Sequence, residues 1–141
     1  MRNVSVMEKT IIIQSDIANI KEVREEIIFA MSSCGFDGES QMSVAVALDE
    51  CLTNAIRHGN KNRHELGVEI KYRICAASVE ITVRDSGRGF NWRGNMRLSG
   101  GDDFTGYELG GRGLFMINSM MTSVKYNDAG NEVTISKIKR A

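Results

Sequence analysis

The spacing of hydrophobic residues predicts two long helices in the first half of the chain. Apolar residues recur at helical spacing between residues 17 and 31, and Gly35 follows where a helix usually ends. A second stretch begins at Glu39 or Ser40, stops near Gly59 and carries one apolar arc with polar residues beside it. We therefore expect a pair of amphipathic helices, separated by a short connection.

Runs of β-branched residues and alternating apolar and polar residues predict five strands. They cover residues 4–13, 68–74, 79–83, 122–126 and 132–138. We expect one hairpin through Ala76-Ala77 and another through residues 127–130, whose sequence favours a turn. A third helix that ends at Met121 precedes the last two strands. This order predicts an α+β fold, a two-layer α/β sandwich with three helices on one face of a mainly antiparallel sheet.

Composition narrows the class of protein. The 141 residues make one domain, 1–141, which is long enough to bury a core without disulfides. Because 18 basic and 18 acidic residues balance, charge does not support nucleic acid or a membrane surface as partner. Three cysteines set within apolar patterns are typical of reduced core residues. With no membrane-length apolar run and no signal-peptide core, we expect a cytoplasmic protein.

A polar stripe on the second helix is the first candidate for chemistry. Glu50, Asn54 and His58 follow one another at four-residue spacing, beside the apolar arc of the same helix. A carboxylate and a carboxamide one turn apart can hold a hard cation and a reacting hydroxyl. Taken alone, the stripe is better described as a solvated polar face.

Two glycine-containing boxes favour a functional site over a solvated polar face. The first, DSGRGF at residues 85–90, ends the third strand, and the second, GGRGL at residues 110–114, opens the third helix. The long connection between them has little periodicity, and connections of this length inside a domain are usually functional or mobile. There is no P-loop, no protein-kinase catalytic loop and no complete dinucleotide fingerprint.

The stripe and the two boxes, in this order, resemble the GHKL ATPase superfamily of gyrases, heat-shock chaperones, histidine kinases and mismatch-repair proteins. Within it, the chain is most similar to the small bacterial anti-sigma-factor serine/threonine kinases. The resemblance covers nearly the whole chain, from the first strand to the last. It implies a two-layer sandwich of the GHKL ATPase type and a site for ATP and Mg²⁺.

The resemblance also implies roles for single residues at one side of that site. Glu50 falls at the position of the catalytic carboxylate, and Asn54 falls at the position of the magnesium ligand. Asp85 matches the aspartate that reads adenine, since a carboxylate accepts a hydrogen bond from the exocyclic amine. Gly87 and Gly89 would let the backbone pass close to the base and the ribose.

The second box is expected to bind phosphate. Gly111 and Gly113 would expose backbone amides at the start of a helix, where partial positive charge favours anions. Leu114 would anchor that helix to the core, beside the nucleotide. Arg112 either contacts the terminal phosphate or faces water, because the basic residue that some relatives carry before this box is absent here.

Three further positions complete the predicted site. His58 continues the polar stripe and is expected among the residues that contact the nucleotide. Thr134 is the nearest candidate for the threonine with which many superfamily members hold adenine. Arg24, on the first helix, matches an arginine that contacts a protein partner in the subfamily.

The resemblance implies a protein serine/threonine kinase that acts as an anti-sigma factor. Such a protein binds a sigma factor, transfers phosphate from ATP to a serine on an antagonist protein, and forms a homodimer. One alternative is an ATP-gated regulatory binding module without phosphotransfer. Another is the catalytic fragment of a two-component histidine kinase, although no helix pair bearing an acceptor histidine precedes the first strand.

Overall fold

A five-stranded antiparallel sheet forms one layer of the protein. The computed structural model describes residues 6–87 and 117–140. Within these ranges the strands are β1 (Met7–Gln14), β2 (Gly67–Ile74), β3 (Ser78–Arg84), β4 (Ser123–Tyr126) and β5 (Glu132–Ile138). Their order across the sheet is β1-β2-β3-β5-β4, and every neighbouring pair is antiparallel. The crossing from β3 to the last hairpin therefore leads from the middle of the sheet to its far edge.

Helices form the second layer. The two long ones are α1 (Ile20–Ser33) and α2 (Gly38–Thr53), and residues 117–120 are also helical. The carboxylate of Asp37 caps α2 by accepting a hydrogen bond of 2.7 Å from the backbone N–H of Ser40. Because the cap is Asp37, α2 begins one residue before the earlier of its two predicted starts.

The helical path does not stop at Thr53 but widens into a π-helical turn, Asn54–Gly59. The turn closes where the backbone N–H of Asn60 donates to the carbonyl of Ala55, five residues earlier, at 2.8 Å. Turns of this kind are rare and occur often at functional sites. Two left-handed residues follow, Lys61 (φ 55°) and Asn62 (φ 58°), and they turn the chain toward β2.

The core lies between the helices and one face of the sheet. Its fully buried side chains include Ile27, Leu48, Leu52, Ile70, Ile81 and Ile135. The alternation along β2 and β3 places apolar residues on this face and polar residues on the other. The predicted α+β sandwich is therefore confirmed, including both hairpins.

The last hairpin turns where it was predicted, at residues 127–130. The side-chain oxygen of Asn127 accepts hydrogen bonds from the backbone N–H groups of Gly130 and Asn131, at 2.7 and 3.1 Å. Gly130 has a φ of 83°, a left-handed conformation that suits glycine. No helix in the described parts of the chain is long and apolar enough to cross a membrane.

Candidate functional site

A cavity of about 220 Å³ lies between the end of the second long helix and one end of the sheet. Its walls come from the last turn of α2, the π-helical turn, the end of β3 and the β4–β5 hairpin. Asn54, His58 and Asp85 all line it, although they are up to 31 positions apart in the chain. The structure thus brings together three of the residues that the sequence assigns to a nucleotide site.

Asp85 is the most constrained of these residues. It follows β3, and its backbone N–H donates to the carbonyl of Asn131 at 2.9 Å. Its Oδ1 accepts a hydrogen bond of 2.7 Å from the backbone N–H of Gly87. Burial raises the pKa of Asp85, and the bond from Gly87 offsets part of that rise. A desolvated carboxylate of this kind is a strong acceptor for an amino group of a ligand.

Two glycines allow the Asp85 loop to approach the π-helical turn. A Cβ atom on Gly59 would overlap the carboxylate of Asp85, and one on Gly87 would overlap the carbonyl of Gly59. Neither position can hold a larger residue without moving the carboxylate or the turn. Gly87 was predicted for a close backbone approach, whereas the need for Gly59 depends on packing that the sequence pattern does not reveal.

Only two of the three residues of the polar stripe line the cavity. Asn54 and His58 lie one turn apart on the cavity wall. Glu50 is half-buried one turn earlier, and it is not among the described residues that line the cavity. The structure therefore places Glu50 beside the cavity, along the helix from Asn54.

The inner wall of the cavity is uncharged. Cys51 is buried, which raises the pKa of its thiol to about 12, and burial also raises the pKa of Tyr126. Both side chains are therefore neutral at physiological pH. Val83 and Val133 add apolar surface from β3 and β5. A flat aromatic ring fits such a wall better than a charged group does.

Thr134 requires a correction. Its hydroxyl lies 2.9 Å from that of Thr82 on the neighbouring strand, where either can donate. Both residues alternate with Val83 and Val133, which are buried against the helices, so Thr134 is on the opposite face of the sheet from the cavity. The hairpin instead contributes Asn131 and Glu132 to the cavity. These two residues were missed, and their position directly after the turn was the available clue.

Arg24 is placed away from the cavity. Its guanidinium lies 2.8 Å from Oδ2 of Asp49, so the arginine joins α1 to α2. Its side chain remains about one-third exposed, and its contact with a protein partner stays a prediction.

The remaining predicted site residues, from both glycine-containing boxes, lie outside the described residues. This applies to Gly89, Gly111, Arg112, Gly113 and Leu114.

The residues at the cavity suit a magnesium ion that arrives with a nucleotide. Among residues 6–87 and 117–140, no cluster of His, Cys, Asp or Glu could hold a metal by itself. Mg²⁺ bound together with phosphates keeps several waters and needs only one or two protein ligands. The carbonyl oxygen of Asn54 is a hard ligand of the required kind.

Comparisons with known proteins identify similar chains. A family model described as a histidine kinase-like ATPase domain matches residues 13–137. The serine-protein kinase RsbW of Listeria innocua is 31% identical over 111 residues, which are 75% of this chain and 71% of that protein. The serine-protein kinase RsbW of Staphylococcus epidermidis is 30% identical over 118 residues, covering 79% of this chain and 72% of the relative.

A solved structure shares the fold. The crystal structure of the RsbU and RsbW domains of Rv1364c from Mycobacterium tuberculosis matches 96% of this chain with a TM-score of 0.65. The sequence identity is 17%, so this likeness concerns the fold alone. The present chain spans 33% of that longer protein.

Proposed function

The chain belongs to the histidine kinase-like ATPase family, in its branch of anti-sigma-factor serine kinases, and on that premise we propose that it phosphorylates a serine of an antagonist protein. ATP is the phosphate donor in this proposal, and a sigma factor is the second partner. The observation that carries the proposal is the shared cavity of Asn54, His58 and Asp85. A polar stripe exposed to solvent, the alternative for α2, would not share a cavity with the half-buried carboxylate that follows β3.

Recognition of the base rests on Asp85. Its Oδ1 is already bonded to Gly87, and no described residue donates a hydrogen bond to Oδ2. The exocyclic amine of adenine can donate to this oxygen, whereas the carbonyl oxygen of guanine would be repelled by it. The neutral wall around Cys51 and Tyr126 supports the base by apolar contact.

Phosphate transfer is assigned to Glu50 and Asn54, the first two residues of the polar stripe. The serine oxygen of the antagonist attacks the γ-phosphorus, the bond to the bridging oxygen breaks, and ADP leaves. Glu50 accepts the serine proton. Asn54 would hold Mg²⁺ through its carbonyl oxygen, and the ion would supply positive charge beside the phosphate oxygens. Gly111, Arg112 and Gly113 are proposed to bind the phosphates, with Gly89 and Leu114 supporting the loop and the helix.

The remaining assignments follow from the same proposal. Residues 1–141 form the kinase domain, and a sigma factor as partner places it in the cytoplasm. Arg24 contacts a partner from the surface of α1, and the protein acts as a homodimer.

A second candidate function is an ATP-gated binding module without phosphotransfer. Glu50 favours it, because this residue does not line the cavity that holds Asn54 and Asp85. In such a module the nucleotide would control partner binding, and the carboxylate of Glu50 would have no proton to accept.

The experiment combines purified protein, Mg²⁺, radiolabelled ATP and the cognate antagonist. We expect label on one antagonist serine, and a loss of about a hundredfold or more in the transfer rate for E50Q with ATP affinity unchanged. The control is E22Q, which makes the same change of charge on the exposed first turn of α1 and should transfer normally. Tight ATP binding with no labelled antagonist would select the binding module instead.

A further inference from the structure

Asn60 is a buried polar residue that the proposed chemistry does not use. It directly follows the π-helical turn, and only 1% of its surface is exposed. Its Nδ2 donates to Oγ of Ser15 at 2.8 Å and to the carbonyl of Gly67 at 3.0 Å. Its Oδ1 accepts a hydrogen bond of 2.8 Å from the backbone N–H of Ser86. Both ends of the carboxamide are thus bonded, as burial of a polar group requires.

The contacts of Asn60 join three separate parts of the chain. Ser15 follows β1, Gly67 begins β2, and Ser86 belongs to the loop after β3. The hydroxyl of Ser15 also donates to the carbonyl of Leu66 at 2.7 Å, which fixes the start of β2 from a second side. The end of the π-helical turn is therefore held to the sheet beside the cavity by side-chain hydrogen bonds.

The bond to Ser86 lies inside the loop that carries the adenine-reading carboxylate. Three successive backbone N–H groups of this loop have three different acceptors: the carbonyl of Asn131, Oδ1 of Asn60 and Oδ1 of Asp85. The first acceptor belongs to the β4–β5 hairpin and the third to the loop itself. The second acceptor, the side chain of Asn60, connects the loop to the residue that follows the π-helical turn.

We propose that Asn60 is a positioning residue that sets the orientation of the Asp85 carboxylate and thereby the preference for a base with an exocyclic amine. This inference rests on the proposed ATP site. Without the carboxamide, the N–H of Ser86 loses its protein acceptor, and the peptide group that joins Asp85 to Ser86 can take up more than one orientation. A carboxylate that samples several orientations makes a poorer hydrogen bond to one fixed amine.

The test compares the affinities for ATP and ITP, because ITP carries a carbonyl oxygen where ATP carries the amine. Calorimetric titrations of folded protein, well below the melting temperature of each variant, give the ratio of the two affinities. We expect N60A to reduce the preference for ATP about tenfold, as expected for a lost charge-assisted hydrogen bond. A preference in N60A equal to that of the native chain would overturn the inference.

Two further variants separate positioning from a purely structural role. S15A removes another partner of Asn60 but leaves its bond to Ser86, so it should lower the melting temperature and keep the preference for ATP. N60D retains an acceptor for the Ser86 N–H but replaces the Nδ2 donor to Ser15 and Gly67 with an oxygen. It should therefore melt lower than the native chain, while its preference stays close to the native one. Loss of preference in N60D, or in S15A to the same extent as in N60A, would contradict the assignment.

If N60A does not fold, the comparison of N60D with S15A decides the question alone. A native chain that binds neither nucleotide would instead overturn the proposed function, so the two failures are distinguishable.

Discussion

The loop at Asp85 and the helix pair at Arg24 hold their charged groups in different ways. Asp85 is fixed by backbone bonds and by the contact of Asn60 with the next amide, all at 2.7–2.9 Å. Arg24 and Asp49 form a single ion pair whose side chains are 31% and 38% exposed. In that pair, Oδ1 of Asp49 is buried without a hydrogen-bond partner among the described residues.

This difference matches what each region is proposed to recognise. A small rigid base requires an acceptor whose position varies by a fraction of an ångström, and a network of short bonds supplies it. A protein partner can be met by a half-exposed arginine that exchanges one carboxylate for another. Substitutions in the Asp85 loop should therefore weaken nucleotide binding. Substitutions at Arg24 should weaken partner binding and leave nucleotide binding almost unchanged.

The largest effect is expected from G59A. A methyl group there would overlap the Asp85 carboxylate, so either the loop or the π-helical turn must move. We expect ATP affinity to fall at least about tenfold and stability to fall by about 1–3 kcal/mol, measured by calorimetry and thermal unfolding. The matched control is G38A, where a Cβ meets nothing within 4 Å at the start of α2. Equal behaviour of the two variants would show that the close approach is unimportant.

D85N should weaken ATP binding without the loss of stability expected from G59A. Its carboxamide still accepts the bond from Gly87, but Oδ2 is replaced by a donor or a weaker acceptor that does not suit the adenine amine. ATP affinity should fall by about 10–100-fold and ITP affinity by much less, since ITP has no amine to lose. Parallel titrations of both nucleotides give these values. An equal loss for ATP and ITP would show that Asp85 does not read the base.

The fold could be predicted from the sequence because its cues are local. Residues 68–74 and 79–83 alternate strictly, and the turn at residues 127–130 is favoured by its own residues. The two-residue period, applied to β5, also shows why Thr134 could not reach the cavity. Val133 must be buried, so its neighbour faces away.

The site was only partly predictable because several of its groups depend on distant contacts. From the sequence alone, Asn60 is a polar residue that follows a helix. Its role depends on Ser15 and Ser86, which lie 45 and 26 positions away in the chain. The need for a glycine at position 59 depends equally on the Asp85 carboxylate. Residue types and spacing predicted Asn54, His58 and Asp85, which the structure places at one cavity, whereas the residues that support them required the three-dimensional structure.

The ion pair of Arg24 and Asp49 should contribute little to stability. A double-mutant cycle of R24A and D49A should give a coupling of at most about 1 kcal/mol, because the pair is partly exposed. ATP affinity should change less than about twofold. The exposed pair of Arg63 and Glu65, 2.7 Å apart, provides a comparison whose coupling should be near zero. A large coupling at Arg24, or a loss of ATP binding, would place this pair within the rigid part of the site.

The smallest effect is the dependence of stability on the charge of Asp85. Because burial raises its pKa in the folded state, the ionised carboxylate destabilises the fold at neutral pH, and that cost disappears as the group becomes protonated. D85N lacks the charge, so at pH 7 it should melt higher than the native chain.

The difference between D85N and the native chain should shrink as the pH falls through the raised pKa and vanish near the ordinary value of 3.8. Melting temperatures of both proteins between pH 4 and 8 measure this change. A difference that is negative at pH 7, or independent of pH, would mean that the bond from Gly87 outweighs the cost of burial. The carboxylate would then be held by the fold for stability, and its proposed role as a desolvated acceptor for a base would lose its physical basis.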